Sequence, residues 1–497
     1  MSQTRHHYWN LGQLAALLSE PGSPAAQVAD ATTTLQTITT DSRRDCPGSL
    51  FIALPGVRFD GRDFIEQAIV NGAVAVVLEE GFARLEALRQ RYPDVFFLPV
   101  KDALTALAVL ARARLQQVAP LVIAVTGSNG KTTTKEMLAQ LLQDRFRVHK
   151  TAGNFNNRIG LPLTVFAMPD DCQVVVLEMG MNEPGEIAAL GAVAQPDYAV
   201  LTNVAAAHLQ GLGSLEAVAR AKCELIGQIK SGGAVIYNAD DPYLARMVPL
   251  AVSQRLPDKI TLVPVSAHGA YAAANAAADL VGVAEIWLTG AGLSFVLLAD
   301  AQKVTIKLPC WGRHNVMNAA LAAAAALQLP EVSLLSVAQS LENFKNLDGR
   351  LQCHQLGNGP GVLVHDAYNA NPASMQAALT AVSERREKRF LALVLGDMLE
   401  IGSESALWHQ RIGRRVAEIR PDLLLLLGRA VEELAAGARA AGLPAQRIIL
   451  FPAGAQAQAA ALLQERLPAD ALVLLKGSHA LALEKLVEPL LNYFKAV

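Results

Sequence analysis

Leu121-Val122-Ile123-Ala124-Val125 runs without a break into Thr126-Gly127-Ser128-Asn129-Gly130-Lys131-Thr132-Thr133, and a helical pattern follows over 134–144. An apolar strand, a glycine turn and a helix start together make an anion site. Free backbone N–H groups and the helix dipole both favour phosphate there. Gly127 and Gly130 let the backbone approach closely, Lys131 adds a point charge, and Thr132 offers a hydroxyl to Mg²⁺. One position departs from the usual phosphate loop: Val125 stands where a first glycine is expected. The bland alternative is a glycine-rich turn whose helix is capped by Ser128 or Asn129.

Outward from this stretch, apolar strands alternate with helical segments. The clearest strands are 174–177, Tyr198–Leu201 and 234–237, and 313–329 is rich enough in alanine to be a buried helix closed by Pro330. That alternation predicts a mostly parallel sheet with helices on both faces. Before it lie short strand-like runs at 50–54 and 73–78 and a helix over 103–117. After it the theme repeats, with strands near 362–364, 390–395, Leu423–Leu427, Ile448–Phe451 and 472–475. The expected class is α/β in three domains, 1–104, 105–332 and 333–497.

Composition narrows the function. The 497 residues carry 43 Lys+Arg against 45 Asp+Glu, a net charge of −2, without the basic excess of a general nucleic-acid binder. Apolar residues are 52% of the chain, yet stretches such as 260–278 are diluted by Pro264, His268, Gly269 and Asn275, so no membrane insertion is expected. The opening MSQTRHHYWN has no apolar core of a signal peptide, and five scattered cysteines form no C-x-x-C pair. Both point to a cytoplasmic protein in a reducing compartment.

Several side chains follow strands in places where ligands gather in such sheets. Glu178 ends the strand at 174–177, and a carboxylate at a carboxyl strand end points into the ligand crevice. As an oxygen ligand it suits Mg²⁺. His208 follows another strand, although imidazole is not the first choice of Mg²⁺ and a structural histidine is the ordinary reading. Lys222 falls in a helix expected over 214–229, where spacing alone suggests a solvated lysine. Asn315 and Asn318 share one face at the start of the alanine-rich helix; capping could occupy Asn315 but not both. Asp366-Ala367-Tyr368-Asn369-Ala370-Asn371-Pro372 places several hydrogen-bonding groups on one loop, which turn chemistry alone would also explain.

These segments come in a particular order: TTDSR at 39–43, TGSNGKTTT at 126–134, GNFNNRIGLPLT at 153–164, EMGMNEPGEI at 178–187, AHLQGLGS at 207–214, GRHNVMNA at 312–319, DGR at 348–350 and DAYNANPASM at 366–375. In that order and spacing the chain resembles the Mur ligases, the ATP-dependent amino-acid and peptide ligases of peptidoglycan precursor synthesis, over nearly its whole length. It is most similar to the branch that joins D-alanyl-D-alanine to UDP-N-acetylmuramoyl-tripeptide.

The resemblance implies an N-terminal domain binding the UDP-sugar, with Ser42 and Arg43 in the uridine-diphosphate site. It also implies a central P-loop ATPase domain and a C-terminal Rossmann-like domain that closes over the nucleotide. Gly127, Ser128, Asn129, Gly130, Lys131, Thr132 and Thr133 would hold ATP; Thr132, Glu178, His208 and Lys222 would serve Mg²⁺. Lys222 matches the position that is a carbamylated lysine in related ligases. Asn315, Asn318, Arg350, Asp366 and Tyr368 would contact adenine, ribose or phosphate. Asn154, Asn156 and Asn157, with Asn369 and Asn371, would face the peptide substrates, and the chain would be a monomer. One departure is His479 in Lys476-Gly477-Ser478-His479, where the family usually has arginine; histidine lacks the bidentate carboxylate grip.

Three rival functions remain at this level. An earlier Mur ligase would add a diamino acid to the UDP-MurNAc-dipeptide, but 368–372 lacks the histidine-containing motif expected of it. A folylpolyglutamate- or cyanophycin-type ligase should lack the TTDSR segment. A nucleotide-gated switch would not need the asparagine loop.

Overall fold

The computed structural model describes residues 8–19, 31–56, 59–206, 209–255, 258–267, 281–299, 301–399 and 401–496. Among them are three sheets. The first pairs β1 (Thr37–Thr39), β2 (Ser49–Ile52), β3 (Ala73–Glu79) and β4 (Phe96–Val100) in that order, all parallel. The helix Ala103–Val118 follows, held at its start by Asp102 accepting from the Thr105 amide. Its apolar face shares one core with both the first and the second sheet.

The second sheet contains β5 (Leu121–Thr126), β6 (Val148–Lys150), β7 (Val174–Glu178), β8 (Tyr198–Leu201), β9 (Ala234–Asn238), β10 (Thr261–Ser266), β11 (Val281–Leu288), β12 (Leu293–Ala299) and β13 (Gln302–Leu308). Their order is β13-β12-β11-β10-β9-β8-β5-β7-β6. Strands β5 to β10 run parallel, as expected for apolar strands covered by helices on both faces. The sheet then continues as the antiparallel meander β11–β13, which strand–helix alternation did not anticipate. The edge strand β13 alternates exposed and buried positions over 305–308 because one of its faces meets solvent, whereas β12 has no exposed residue.

The third sheet contains β14 (Gln352–Leu356), β15 (Gly361–His365), β16 (Leu391–Gly396), β17 (Leu423–Leu427), β18 (Ile448–Phe451) and β19 (Leu472–Lys476). It is ordered β14-β15-β19-β16-β17-β18, with only β14 antiparallel. The alanine-rich helix His314–Ala326 packs on the helix that follows β5, and its alanines from 319 to 326 are all buried. Small side chains let the two helix backbones come close. No helix among the described residues is long and apolar enough to cross a membrane.

Two helix boundaries differ from expectation. The helix after β5 begins at Lys131, not at 134, because Gly130 takes φ 82° and turns the chain directly into it. The helix expected over 214–229 is α-helical only for Leu215–Cys223 and tightens to 3₁₀ over Glu224–Gln228.

Candidate active site at the phosphate loop

The loop after β5 crosses the carboxyl ends of β5, β7 and β8. Gly127 lies against Thr202 at the end of β8, where a side chain would run into the threonine hydroxyl, and a side chain at Gly130 would run into that of Asn318. Neither cap considered for the helix is made, since its N-cap is Gly130, with no side-chain bond. The N–H groups of Ser128 and Asn129 are already committed, donating to the Asn203 carbonyl and to Asn203 Oδ1 at 2.9 Å each. No described group accepts from the N–H groups of residues 130–133. The donors left free for an anion are therefore at the helix start, and Ser128 and Asn129 frame the loop.

Lys131 Nζ folds back and donates to the Gly127 carbonyl at 2.8 Å. Burial holds this ammonium below the ordinary lysine value; Glu178 opposes the shift and Arg350 adds to it. The Thr132 hydroxyl donates to Glu178 Oε2 at 2.8 Å and accepts from Arg350 Nη2 at 2.9 Å. Glu178 ends β7 at 2% exposure, not on a surface loop, and its Oε1 accepts from Asn156 Nδ2 at 2.8 Å. One hydroxyl and one carboxylate thus tie the phosphate loop, the asparagine loop and the third sheet's domain together.

Lys222 is 2% exposed, which overturns the reading of a solvated helix lysine. Burial lowers its pKa well below the ordinary value, and the nearby Lys131 charge adds to this. No described residue accepts a hydrogen bond from its Nζ. His208 lies outside the described residues.

A second wall comes from beyond the second sheet. Asn315 Nδ2 donates to the Trp311 carbonyl at 2.7 Å, so Asn315 is not a cap, and its Oδ1 accepts from Asn318 Nδ2 at 2.9 Å. The Arg350 guanidinium stacks on the Tyr368 ring at 4.2 Å, and that ring meets His479 edge-on at 6.1 Å. Asp366 accepts from the Leu351 amide at 3.1 Å and from Lys476 Nζ at 2.7 Å, which fixes the backbone next to Arg350.

Some residues read as substrate contacts have structural work. Asn157 Oδ1 accepts from the Ile159 and Gly160 amides at the start of the helix Gly160–Phe166. Asn371 caps the helix Pro372–Glu384, and its Nδ2 donates to Asn129 Oδ1 at 2.7 Å, joining the two domains. Asn154 and Asn369 are exposed; the Asn369 Oδ1 accepts from the neighbouring Ala370 amide. Ser42 and Arg43 belong to the first sheet's domain. Ser42 Oγ donates to Gln67 at 3.2 Å, and Arg43 forks onto Asp41, which it holds at a pKa of about 2. The buried lysines 135 and 476 and the loop-bracing Asn203 were not picked out from the sequence. Helical spacing makes Lys135 look like any surface lysine.

Three family models match the chain in sequence: "Mur ligase family, catalytic domain" over 34–115, "Mur ligase middle domain" over 125–326 and "Mur ligase, glutamate ligase domain" over 349–479. The UDP-N-acetylmuramoyl-tripeptide–D-alanyl-D-alanine ligase of Bacillus subtilis is 37% identical over 406 residues, 82% of this chain and 83% of the relative. A crystal structure of MurF from Acinetobacter baumannii superposes with TM-score 0.83 at 29% identity, covering 99% of this chain and 100% of that one. The MurF ligase of Thermotoga maritima, solved in complex with ADP, gives TM-score 0.78 at 28% identity, over 93% of this chain and 98% of that one. With its three domain signatures in order around a shared phosphate-loop site, the chain belongs to the Mur ligase family.

Proposed function

We propose that this chain joins D-alanyl-D-alanine to UDP-N-acetylmuramoyl-tripeptide, converting ATP to ADP and phosphate. The observation that carries the reading is the cluster of Lys131, Thr132, Glu178 and Arg350 around free N–H groups at a helix start, in a chain so similar to ligases of that name. We assign the acceptor nucleotide to residues 1–104, ATP to 105–332, and closure over it to 333–497.

A carboxylate does not react with an amine until one of its oxygens becomes part of a leaving group. The γ-phosphoryl of ATP is transferred to the tripeptide carboxylate, giving an acyl phosphate. The dipeptide amine attacks its carbonyl carbon, phosphate leaves, and the amine's proton goes to solvent or a base. Catalysis is then positioning and charge neutralisation. The N–H groups of 130–133 and Lys131 hold the phosphates, and Arg350 brings a second cation to Thr132 when its domain is closed.

Glu178 and the Thr132 hydroxyl suit Mg²⁺, since they present hard oxygen donors side by side in a buried crevice. Those two residues, with His208 and a carbamate on Lys222, would hold it, and the ion would supply charge neutralisation on the phosphates. Burial that lowers the pKa of this lysine raises its share of neutral amine, the form that adds to CO₂ with loss of a proton. Asn156 links the metal carboxylate to the loop we assign to the acceptor peptide. The same reading places the enzyme in the cytoplasm, where ATP is available.

The test is ADP release with UDP-N-acetylmuramoyl-tripeptide and D-alanyl-D-alanine together, expected to fall sharply when either is omitted. Turnover of the UDP-linked dipeptide with a free diamino acid, but not of the first mixture, would assign the chain to the earlier step instead.

A further inference from the structure

Lys135 sits four residues after Lys131 on the same helix, fully buried on the far side of Glu178. Its Nζ donates to the Thr151 carbonyl at 2.7 Å, lies 3.1 Å from Glu136 Oε1 and faces Glu178 Oε2 at 3.7 Å. The last distance is beyond hydrogen-bond reach. Glu178 is held in place by other donors: Thr132 and Asn156 at 2.8 Å on its two oxygens, and Thr151 Oγ1 accepting from its amide at 2.9 Å. What Lys135 contributes to the carboxylate is therefore charge, not orientation. Glu136 is itself paired with Lys150. The four residues Lys150, Glu136, Lys135 and Glu178 alternate in sign and sum to zero, and the Glu178 end opens onto the phosphate loop.

We propose that Lys135 sets the electrostatic balance of the nucleotide site, favouring the phosphate anion and restraining the affinity of the metal cation at Glu178. Buried charges a few ångströms apart are weakly screened, so one residue acts on both ligands with opposite sign. This role rests on the nucleotide-binding reading above and concerns a residue behind the ligands, not one that touches them.

The test uses the full chain with Lys135→Met, which keeps the length and apolar stem of the side chain. Calorimetric titration with ADP in excess EDTA should show binding weakened by about tenfold, while the Mg²⁺ concentration for half-maximal turnover falls by about the same factor. Damage to packing would worsen both together. Glu136→Gln makes the opposite change in charge and should tighten metal-free ADP binding while raising the Mg²⁺ requirement; it also serves if Lys135→Met fails to fold. Lys150→Met, at a half-exposed site, should move both by less than about twofold. Shifts of the same sign in both titrations, or none, with a wild type that binds ADP, would overturn the role of Lys135. A wild type that binds no ADP would instead overturn the nucleotide reading.

Discussion

Replacing Lys222 by methionine should stabilise the protein and inactivate it. The lysine is 2% exposed in the helix Leu215–Cys223, no described residue accepts from its Nζ, and Lys131 repels it. Taking this ammonium out of bulk water beside Lys131 costs free energy, about 1–3 kcal/mol on the scale of buried polar groups. Methionine has the same reach and no such cost, so about 2 kcal/mol should be regained. For a folding unit of about 200 residues that is about 4–8 °C in the unfolding midpoint. The sign with pH follows from linkage. The folded-state pKa lies below the ordinary 10.5, so between the two values the unfolded chain binds the extra proton and stability rises with pH. The wild-type handicap is thus complete below the folded value and disappears as pH approaches 10.5. The assay is thermal unfolding of both proteins in bicarbonate-free buffer across that range, with turnover measured separately in the presence of bicarbonate. The variant should retain under about 1% of activity, because neither an amine nor its carbamate remains to serve the metal. Short carboxylates should restore part of it by supplying the missing oxygens. A destabilised variant, a stability gap independent of pH, or near-normal turnover would each refute the reasoning.

Lys131→Ala should leave the fold intact and remove about 3–4 kcal/mol of transition-state stabilisation, read as a loss of 10²–10³ in kcat, roughly the effect of one preorganised donor. Near-normal ADP release would sink the loop assignment. Glu178→Ala should raise the Mg²⁺ concentration for half-maximal rate, and an unchanged metal titration would remove Glu178 from the metal site. Arg350→Ala loses a charged hydrogen bond to Thr132 and a stack on Tyr368, together about 2–3 kcal/mol, so kcat/KM should fall about 30- to 200-fold. A loss below about threefold would mean that this contact is not carried into catalysis.

What was legible in the sequence is what local pattern determines. Tyr198–Leu201, Leu423–Leu427 and Ile448–Phe451 are strands at the bounds read from their apolar runs. Buried parallel strands are continuous in hydrophobicity and need no partner to be recognised. The glycine-to-helix turn was legible too, although its helix starts at Lys131 and not at 134. Pairings between distant segments were not. Arg350 meets Thr132 across 218 positions and Lys476 meets Asp366 across 110, and a lysine in a helix or at a strand end carries no mark of being buried. Asparagines carry a local use as well. The Asn371 oxygen caps a helix, a use that Asn371-Pro372 signals in its own right, and the Asn157 oxygen closes the turn that leads into the helix Gly160–Phe166.

The arrangement around Asn129 explains how a loop lacking the first usual glycine still forms a phosphate site. Its amide donates to Asn203, its carbonyl accepts from Thr202, and its side-chain oxygen accepts from Asn371. Two separate segments, 202–203 and the turn before the helix Pro372–Glu384, thus pin one residue, so the loop's shape is imposed from outside and Val125 can remain buried in β5. The groups left unengaged are the N–H groups of 130–133, and they lie beside Lys131 and below Arg350. A site built in this way need not reorganise its frame when a triphosphate arrives. On the nucleotide reading proposed above, Lys131 would leave the Gly127 carbonyl, and Arg350 and Glu178 would exchange the Thr132 hydroxyl they share for ligand oxygens and metal. Preorganisation of this kind places the cost of shaping the anion site in folding and not in the catalytic cycle. Because Asn371 and Arg350 both come from the third sheet's domain, the frame of the loop and its second cation both depend on where that domain sits.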